Sequence, residues 1–403
     1  MYKQRTVQGY VVLIFFVMFI YGLCAQIIGA LISRIILHYN IQMSQAGLLP
    51  SFQYAGNFIA VFLVIVFSGR INKIIMLGIS IFFLSGSLCL ISTAPLFGIL
   101  LINFSLMGTF FATLDTLINS LVADLRPDSI KTSISVLHGL YGLGGLSSPI
   151  VIERLVVRFN WTQVYFIAGI VLLVFFAAYA LFVKLNWRAL SVCLPHAGQM
   201  RFGFLDIIQF FKVKRNAFLW VSMFSYVGSH SILSIWIKRY VETHLNKPVW
   251  GAYALSAFWI GVALSRIVVS PNIKAPSLLK IMTGNLISAL SVTAGLLSGS
   301  VYGITAAAFM AGLCAGFTIP LLVAQSCEWH QEKTAFGSLM ALTAVFMSFV
   351  VFPPFSGFIS DNLGIRWGVA FGVVCSTMAA VFSLTCRRVS AAYHNNLDMQ
   401  ERG

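Results

Sequence analysis

Residues 8–32 read QGYVVLIFFVMFIYGLCAQIIGALI, a stretch of 25 residues without one charged side chain. An α-helix needs about 20 mainly apolar residues to cross the hydrocarbon core of a bilayer. Because lipid offers no hydrogen-bond partners, a spanning segment must be a helix or a strand of a closed barrel. Barrel strands alternate in hydrophobicity over about 10 residues. This stretch does not alternate, so it predicts a transmembrane helix.

Eleven further apolar stretches of similar length follow it. They make the chain 59% hydrophobic and only 9% charged, whereas about a quarter of the residues in a soluble domain are charged. The sequence therefore predicts an all-α membrane protein with twelve transmembrane helices. The predicted spans are 8–32, 44–68, 74–93, 97–121, 133–152, 161–183, 216–237, 249–270, 279–298, 302–326, 335–358 and 367–386.

The basic residues predict the orientation of these spans. Of the 26 Lys and Arg residues, 18 fall at the termini, in the long connection 184–215, or in loops on that same side of the membrane. Seven fall on the other side, and Arg266 lies within a span. Since basic loops stay in the cytoplasm, we expect both termini and the 184–215 connection to be cytoplasmic. The expected location is a bacterial inner (plasma) membrane.

The connection 184–215 divides the spans six and six, and the two halves resemble each other. A shift of 204 residues aligns Gly108 with Gly312, and Asp124 with Glu328. Two parallel repeats of six spans characterise one large class of transporters. The predicted units are an N-terminal six-helix bundle (1–183), a linker with a candidate interfacial helix (184–215), a C-terminal six-helix bundle (216–386) and a tail (387–403).

One acidic residue lies well within an apolar run. It is Asp115, in the sequence GTFFATLDTLINSLV of residues 108–122. A charged carboxylate at the middle of a span costs roughly 2.5–3.5 kcal/mol and is by default a functional hypothesis. Because a low dielectric favours the neutral carboxyl, such a residue can take up and release a proton. His138 is a second proton-coupling candidate. The alternative is a structural aspartate that bonds to a neighbouring span.

Other polar and aromatic side chains at depth are candidates for binding a solute. Amides, hydroxyls and imidazoles can hydrogen-bond a polar molecule, and deep aromatic rings can stack on a sugar. The alternatives are hydrogen bonds between helices and, for Trp and Tyr, anchoring at the membrane surface. The solute-binding candidates are Gln26, Gln53, Asn57, Asn119, Tyr141, Tyr226, His230 and Trp259.

Three charged residues near the predicted inner ends of spans are gate candidates. Arg70 follows the second span, in the loop 68–73 (SGRINK). Arg266 lies toward the inner end of the eighth span. We expect an acid such as Glu328 to pair with it and close the inner gate.

Composition and motifs exclude several other classes of protein. The formal charge is +15, but the basic residues are scattered and form no long tract, so no nucleic-acid partner is expected. The sequence lacks a phosphate-binding loop of the G-x-x-x-x-G-K type, and its seven Cys show no metal-ligand spacing. We therefore expect no enzymatic activity, no cofactor and no metal.

Several motifs resemble the major facilitator superfamily, and most closely its fucose-permease-like sugar:proton symporters. The loop 68–73 keeps the basic residues that the superfamily carries between its second and third spans. Asp115 matches an acid of the fourth span that is associated with proton coupling in that branch. Residues 137–144 (LHGLYGLG) and 256–261 (SAFWIG) are similar to its fifth and eighth spans. The resemblance implies two six-helix bundles with a solute site between them.

The expected function is secondary active transport of a small polar solute, sugar-like or another small metabolite, by alternating access. Coupling would be to a proton, or to sodium in its place, through Asp115, and the chain would act as a monomer in the bilayer. The first span has Gln26 but lacks the second acid of the fucose permease. Two alternatives stay open: a proton-coupled efflux antiporter for drugs or hydrophobic compounds, and a non-transporting membrane sensor or scaffold.

Overall fold

The computed structural model of the protein describes residues 2–67, 72–126, 130–191, 204–273, 278–330 and 334–402. The regular structure of these residues is helical throughout. The helices are α1 (Tyr2–Ala25), α2 (Ile27–Tyr39), α3 (Met43–Phe67), α4 (Lys73–Ser92), α5 (Phe97–Leu125), α6 (Ile130–Leu155), α7 (Trp161–Ser191), α8 (Phe204–Lys212), α9 (Lys214–Arg239), α10 (Pro248–Leu264), α11 (Leu278–Ser298), α12 (Val301–Ala315), α13 (Thr318–Trp329), α14 (Thr334–Leu363) and α15 (Ile365–Arg402).

Ten helical segments among the described residues are long and apolar enough to cross a membrane. The remaining two predicted spans, 44–68 and 133–152, coincide with α3 and α6. A helix therefore occupies every predicted span, and the predicted all-α membrane fold is confirmed. The ten segments are Thr6–Tyr39, Lys73–Ser92, Phe97–Val122, Trp161–Leu190, Lys214–His244, Pro248–Asn272, Leu278–Ser298, Val301–Trp329, Phe336–Leu363 and Ile365–Ala392.

The chain divides into two compact units, Met1–Met200 and Arg201–Gly403. In the first unit α3 packs on α5, α4 packs on α5 and α7, and α1 packs on α6. In the second unit α10 packs on α12, α11 packs on α12 and α15, and α9 packs on α14. Counted along the chain, these are the same pairs of spans. The helices of the two units thus follow one packing plan, as two repeats require.

The aligned glycines take the same place in that plan. A Cβ on Gly108 of α5 would collide with the backbone carbonyl oxygen of Gln53 on α3. In the second unit, a Cβ on Gly312 of α12 would collide with the carbonyl oxygen of Phe258 on α10. Small residues let two helix backbones approach closely in a membrane. Each glycine is therefore needed where the backbones of its two helices touch.

Three predicted spans are broken rather than continuous. The first span ends as α1 and restarts as α2 at Gln26, whose φ of −97° and ψ of 0° depart from an α-helix. The eighth continues from α10 into a π-helical turn, Ser265–Val269, and a 3₁₀ turn, Ser270–Asn272. The tenth is interrupted between α12 and α13 at residues 316–317. The span predicted over 8–32 is present, with a local break at Gln26 that the sequence did not predict.

Several helices also extend beyond the predicted spans. Helix α7 continues to Ser191, although the predicted span ends at residue 183. Helix α15 runs through the predicted tail 387–403 as far as Arg402. Charged residues end an apolar span but not a helix, because Lys, Arg and Glu are good helix formers.

The candidate interfacial helix of the linker is a separate helix, α8, which packs beside α9. Phe210 of α8 is buried against Phe336 and Met340 of α14. Its ring stacks on His330, with 5.4 Å between ring centroids. The Asn216 side chain, at the start of α9, donates to the Phe210 carbonyl oxygen at 3.2 Å. These contacts dock α8 onto the second unit; its position relative to a membrane stays a prediction.

A buried pair of tyrosines joins three helices of the first unit. The Tyr10 and Tyr179 hydroxyls lie 2.7 Å apart, and the Tyr179 hydroxyl donates to the Ile74 carbonyl oxygen at 2.7 Å. Both rings are fully buried. We expect Tyr179→Phe to lower the free energy of unfolding by about 1–3 kcal/mol, since it leaves the buried Tyr10 hydroxyl without its partner.

Thermal unfolding of the purified variant measures this loss. Tyr302→Phe is the matched control, because Tyr302 is 68% exposed and loses no buried hydrogen bond. Equal melting temperatures for the two variants would contradict the prediction.

Candidate functional site

Helix α5 carries Asp115, and Asn119, one turn later on the same helix, hydrogen-bonds to it. The Asn119 side-chain nitrogen donates to the backbone oxygen of Asp115 at 2.8 Å and to its Oδ1 at 3.3 Å. Both side chains are half-buried. The spacing of four residues, which placed them on one helical face, therefore brings them into contact. The geometry gives Asn119 the role of positioning the carboxyl.

Tyr21 of α1 connects this carboxyl with tyrosines of α3 and α6. The Tyr21 ring of α1 lies 4.9 Å from the Phe111 ring and 5.0 Å from the Tyr141 ring, measured between centroids. Tyr21 is also within electrostatic range of Asp115 and of Tyr54 on α3. Sequence reasoning singled out Tyr141 but missed Tyr21. Its hydroxyl, near the middle of the first span, was the available signal.

Close packing of α1 on α6 brings Tyr21 beside Tyr141. A Cβ on Gly22 would collide with the Tyr141 carbonyl oxygen, and one on Gly144 would collide with the carbonyl oxygen of Phe19. Small residues at these two positions let the backbones of α1 and α6 approach closely.

His138, on the same helix α6, lies close enough for its charge to act on Asp115. Its side chain is exposed. The first unit thus brings together the two proton-coupling candidates of the sequence. We refer to Asp115, Asn119, His138, Tyr21 and Tyr141 as the Asp115 cluster.

The polar candidates of α2 and α3 have different surroundings. Oriented to satisfy its neighbours, the Asn57 side-chain nitrogen lies 3.1 Å from the Gln53 carbonyl oxygen and 3.0 Å from that of Gly108. Asn57 therefore ties α3 to α5 at their closest approach, which was the structural alternative for this residue. Gln53 is buried. Gln26 stands at the break between α1 and α2, and its side chain makes no capping bond there.

In the second unit three solute-binding candidates meet around His230 of α9. The Tyr226 hydroxyl lies 3.5 Å from His230 Nδ1. The His230 ring centroid lies 5.0 Å from the Phe258 ring and 5.3 Å from the Trp259 ring, both on α10. The Trp259 indole nitrogen is buried and has no hydrogen-bond partner among the described residues. We refer to Tyr226, His230, Phe258 and Trp259 as the His230 cluster.

Arg266 belongs beside this cluster and not beside Glu328. Its Nε donates to the Gly316 carbonyl oxygen at 3.3 Å, and its guanidinium is within electrostatic range of the Tyr226 hydroxyl. Glu328 is exposed and accepts from Gln325 Nε2 at 3.1 Å. The expected pairing of Arg266 with Glu328 was therefore wrong. Arg266 lies in the π-helical turn Ser265–Val269 and contacts the break after α12 instead.

An ion pair joins the start of α4 to the end of α5. Lys73 Nζ lies 2.6 Å from Asp124 Oδ2 and 2.7 Å from the Ser120 hydroxyl. Arg70, the gate candidate of this loop, lies outside the described residues. Sequence reasoning noted Lys73 only as a basic residue of the loop and missed its partner, because the two are 51 residues apart.

Comparisons with known proteins agree with this architecture. The sequence model of the Major Facilitator Superfamily matches residues 14–274. A glucose/mannose transporter of Bacillus subtilis (strain 168) is 26% identical over 202 residues, which are 49% of this chain and 47% of that transporter. The match thus spans about half the length of that relative.

Solved structures with the same fold cover nearly the whole chain. A bacterial homologue of the human lysosomal transporter Spinster superposes with a TM-score of 0.73 and 15% identity, over 95% of this chain and 97% of that one. The E. coli fucose:proton symporter superposes with a TM-score of 0.62 and 14% identity, over 94% and 99%. At such identities these similarities establish the fold alone.

Proposed function

Since this chain belongs to the Major Facilitator Superfamily and is an integral membrane protein, we propose that it is a secondary active transporter of a small polar, sugar-like solute, coupled to protons through Asp115. The observation that carries the proposal is the Asp115 cluster. A carboxyl within a membrane-spanning helix is hydrogen-bonded by Asn119 and has His138 and Tyr21 within electrostatic range.

The energetics of a buried carboxyl support proton coupling. Its charged form costs roughly 2.5–3.5 kcal/mol in the middle of a span. A difference of that size changes an equilibrium constant about a hundredfold. Gain and loss of one proton at Asp115 can therefore shift the populations of two conformations strongly, provided that the conformations solvate the carboxyl differently. A scaffold has no use for such a charge.

The His230 cluster supports a hydroxyl-bearing solute. The buried indole nitrogen of Trp259 needs an acceptor, since a buried donor without a partner costs about 1–3 kcal/mol. A solute hydroxyl supplies that acceptor, and the indole ring offers a face for stacking. The relative from Bacillus subtilis is a glucose/mannose transporter, which agrees with a solute of this kind.

We extend the proposal to topology and assembly. The excess of basic residues at the termini and in the linker supports cytoplasmic termini in a bacterial inner membrane. The two repeats make a complete set of twelve helices within one chain, which supports a monomeric carrier.

Solute counterflow in proteoliposomes tests the proposal. Vesicles are preloaded with unlabelled glucose, mannose, fucose or a uronic acid, and the uptake of the labelled compound is followed. We expect at least one member of the panel to accumulate transiently, because a carrier exchanges its solute without an external energy source. Protein-free liposomes are the control. No exchange of any member would overturn the proposal, and exchange of a lipophilic dye instead would favour the drug antiporter.

A further inference from the structure

Arg266 is a cation within a predicted span, and its contacts leave its charge uncompensated. Its side chain is half-buried. The Gly316 carbonyl oxygen, which accepts from its Nε, and the nearby Tyr226 hydroxyl are both neutral. Neither the Lys73–Asp124 ion pair nor the Lys238–Glu242 ion pair includes Arg266. An arginine at such a depth is energetically costly. It therefore indicates a functional site at which a partner compensates the charge.

The guanidinium retains donors for that partner. Arginine carries five N–H donors in a rigid planar fork. Nε is used by Gly316, and the Tyr226 hydroxyl lies within electrostatic range. The fork matches the two oxygens of a carboxylate better than any neutral acceptor does. An anionic group on the solute would therefore satisfy both the charge and the remaining donors of Arg266.

The neighbouring groups fit the rest of such a solute. Trp259 and Arg266 are seven residues apart, and so about 10 Å apart along the helix axis. His230 connects them, since its ring lies 5.3 Å from Trp259 and it is within electrostatic range of Arg266. The indole nitrogen of Trp259 has no hydrogen-bond partner among the described residues. It can therefore donate a hydrogen bond to a hydroxyl of the solute.

The local backbone supports a binding role. Arg266 lies in the π-helical turn Ser265–Val269 and bonds to the break between α12 and α13. Single π turns occur often at functional sites, and interrupted helices form the substrate sites of several transporter folds. An arginine that only closed a gate would need an acid, and Glu328 does not supply it. A positively charged solute would be repelled here.

We propose that the transported solute carries a carboxylate, bound by Arg266, on a hydroxyl-bearing body that contacts Trp259; sugar acids are the class that fits. The proposal rests on the proposed function and narrows it. It changes Arg266 from a gate residue into a solute-binding residue.

Isothermal titration of the purified protein with matched pairs, glucose with glucuronate and galactose with galacturonate, tests it. We expect a uronate to bind more tightly than its neutral partner by about 10- to 150-fold, the range for a hydrogen bond to a charged group. Arg266→Gln removes this preference, and Arg266→Lys keeps part of it because the charge stays. Arg366→Gln is the control: Arg366 is exposed and also donates to a carbonyl oxygen, that of Leu296 at 3.2 Å.

Equal binding of acid and neutral partner by the natural protein, or no binding of either uronate, overturns the proposal. So does an Arg266→Gln variant that loses both affinities equally. The comparison on the natural protein decides the question even if the variant does not fold. Counterflow of neutral sugars alone would contradict the carboxylate proposal but leave the proposed transport function standing. No counterflow of any compound would contradict the transport function itself.

Discussion

Gly108→Ala is expected to destabilise the first unit severely. The added Cβ would collide with the Gln53 carbonyl oxygen, which belongs to the backbone of α3 and cannot rotate away. Relief requires α3 and α5 to separate, which also breaks the bond from Asn57 to the Gly108 carbonyl oxygen. Overpacking of a tight core costs about 1–3 kcal/mol and occasionally more. We expect the upper end, about a hundredfold in the ratio of folded to unfolded protein.

The matched control is Gly86→Ala on α4. A Cβ there meets nothing within 4 Å, and alanine is the better helix former by about 1 kcal/mol. The same chemical change should therefore be neutral or stabilising at Gly86 and strongly destabilising at Gly108. Thermal unfolding and size-exclusion profiles in detergent measure both. Similar profiles for the two variants would contradict the close helix contact.

Asp115→Asn is expected to uncouple transport from the proton gradient and to leave exchange intact. Asparagine keeps the size of the side chain and a hydrogen-bonding group for Asn119, but it has no titratable proton. A pH difference of one unit is worth about 1.4 kcal/mol per proton, so coupling to one proton sustains about tenfold accumulation. The variant should show no accumulation under the same gradient, while counterflow continues.

Asp361→Asn serves as the control for this substitution. Asp361 is exposed near the end of α14. Its substitution by Asn also changes an acid to an amide, but at a position away from the Asp115 cluster. It should accumulate solute as the natural protein does. A tenfold accumulation by Asp115→Asn would assign the coupling to another residue.

The helices were predictable because spanning a membrane is a local property of the sequence. Each needs a run of about 20 apolar residues, and a run such as 8–32 contains that information by itself. The repeat was visible for a similar reason, since Gly108 and Gly312 keep their spacing when helix packing demands a small residue at both places.

The breaks within spans were not predictable in this way. Gln26 and Arg266 are embedded in runs that are apolar enough for a continuous helix, and contacts with other helices decide where the backbone departs from it. Arg266 shows the consequence. Expected near Glu328 from its position along the span, it bonds to the Gly316 carbonyl oxygen and lies near Tyr226.

The site was predictable in its residue types and less so in their roles. An acid or imidazole inside a span is costly and therefore conspicuous, so Asp115, His138 and His230 were found directly. Asn57 could have bound a solute or a neighbouring helix, and only the distance to the Gly108 carbonyl oxygen decides for the helix. Tyr21 was missed because tyrosine is common in spans.

The central claim is that solute movement carries a proton by way of Asp115. The most direct measurement is the internal pH of proteoliposomes, reported by an enclosed pH-sensitive dye, when a solute identified by counterflow is added outside. If Asp115 carries the proton, we expect internal acidification with the natural protein and none with Asp115→Asn. Counterflow without any pH change in the natural protein, or an equal pH change in the variant, would contradict it.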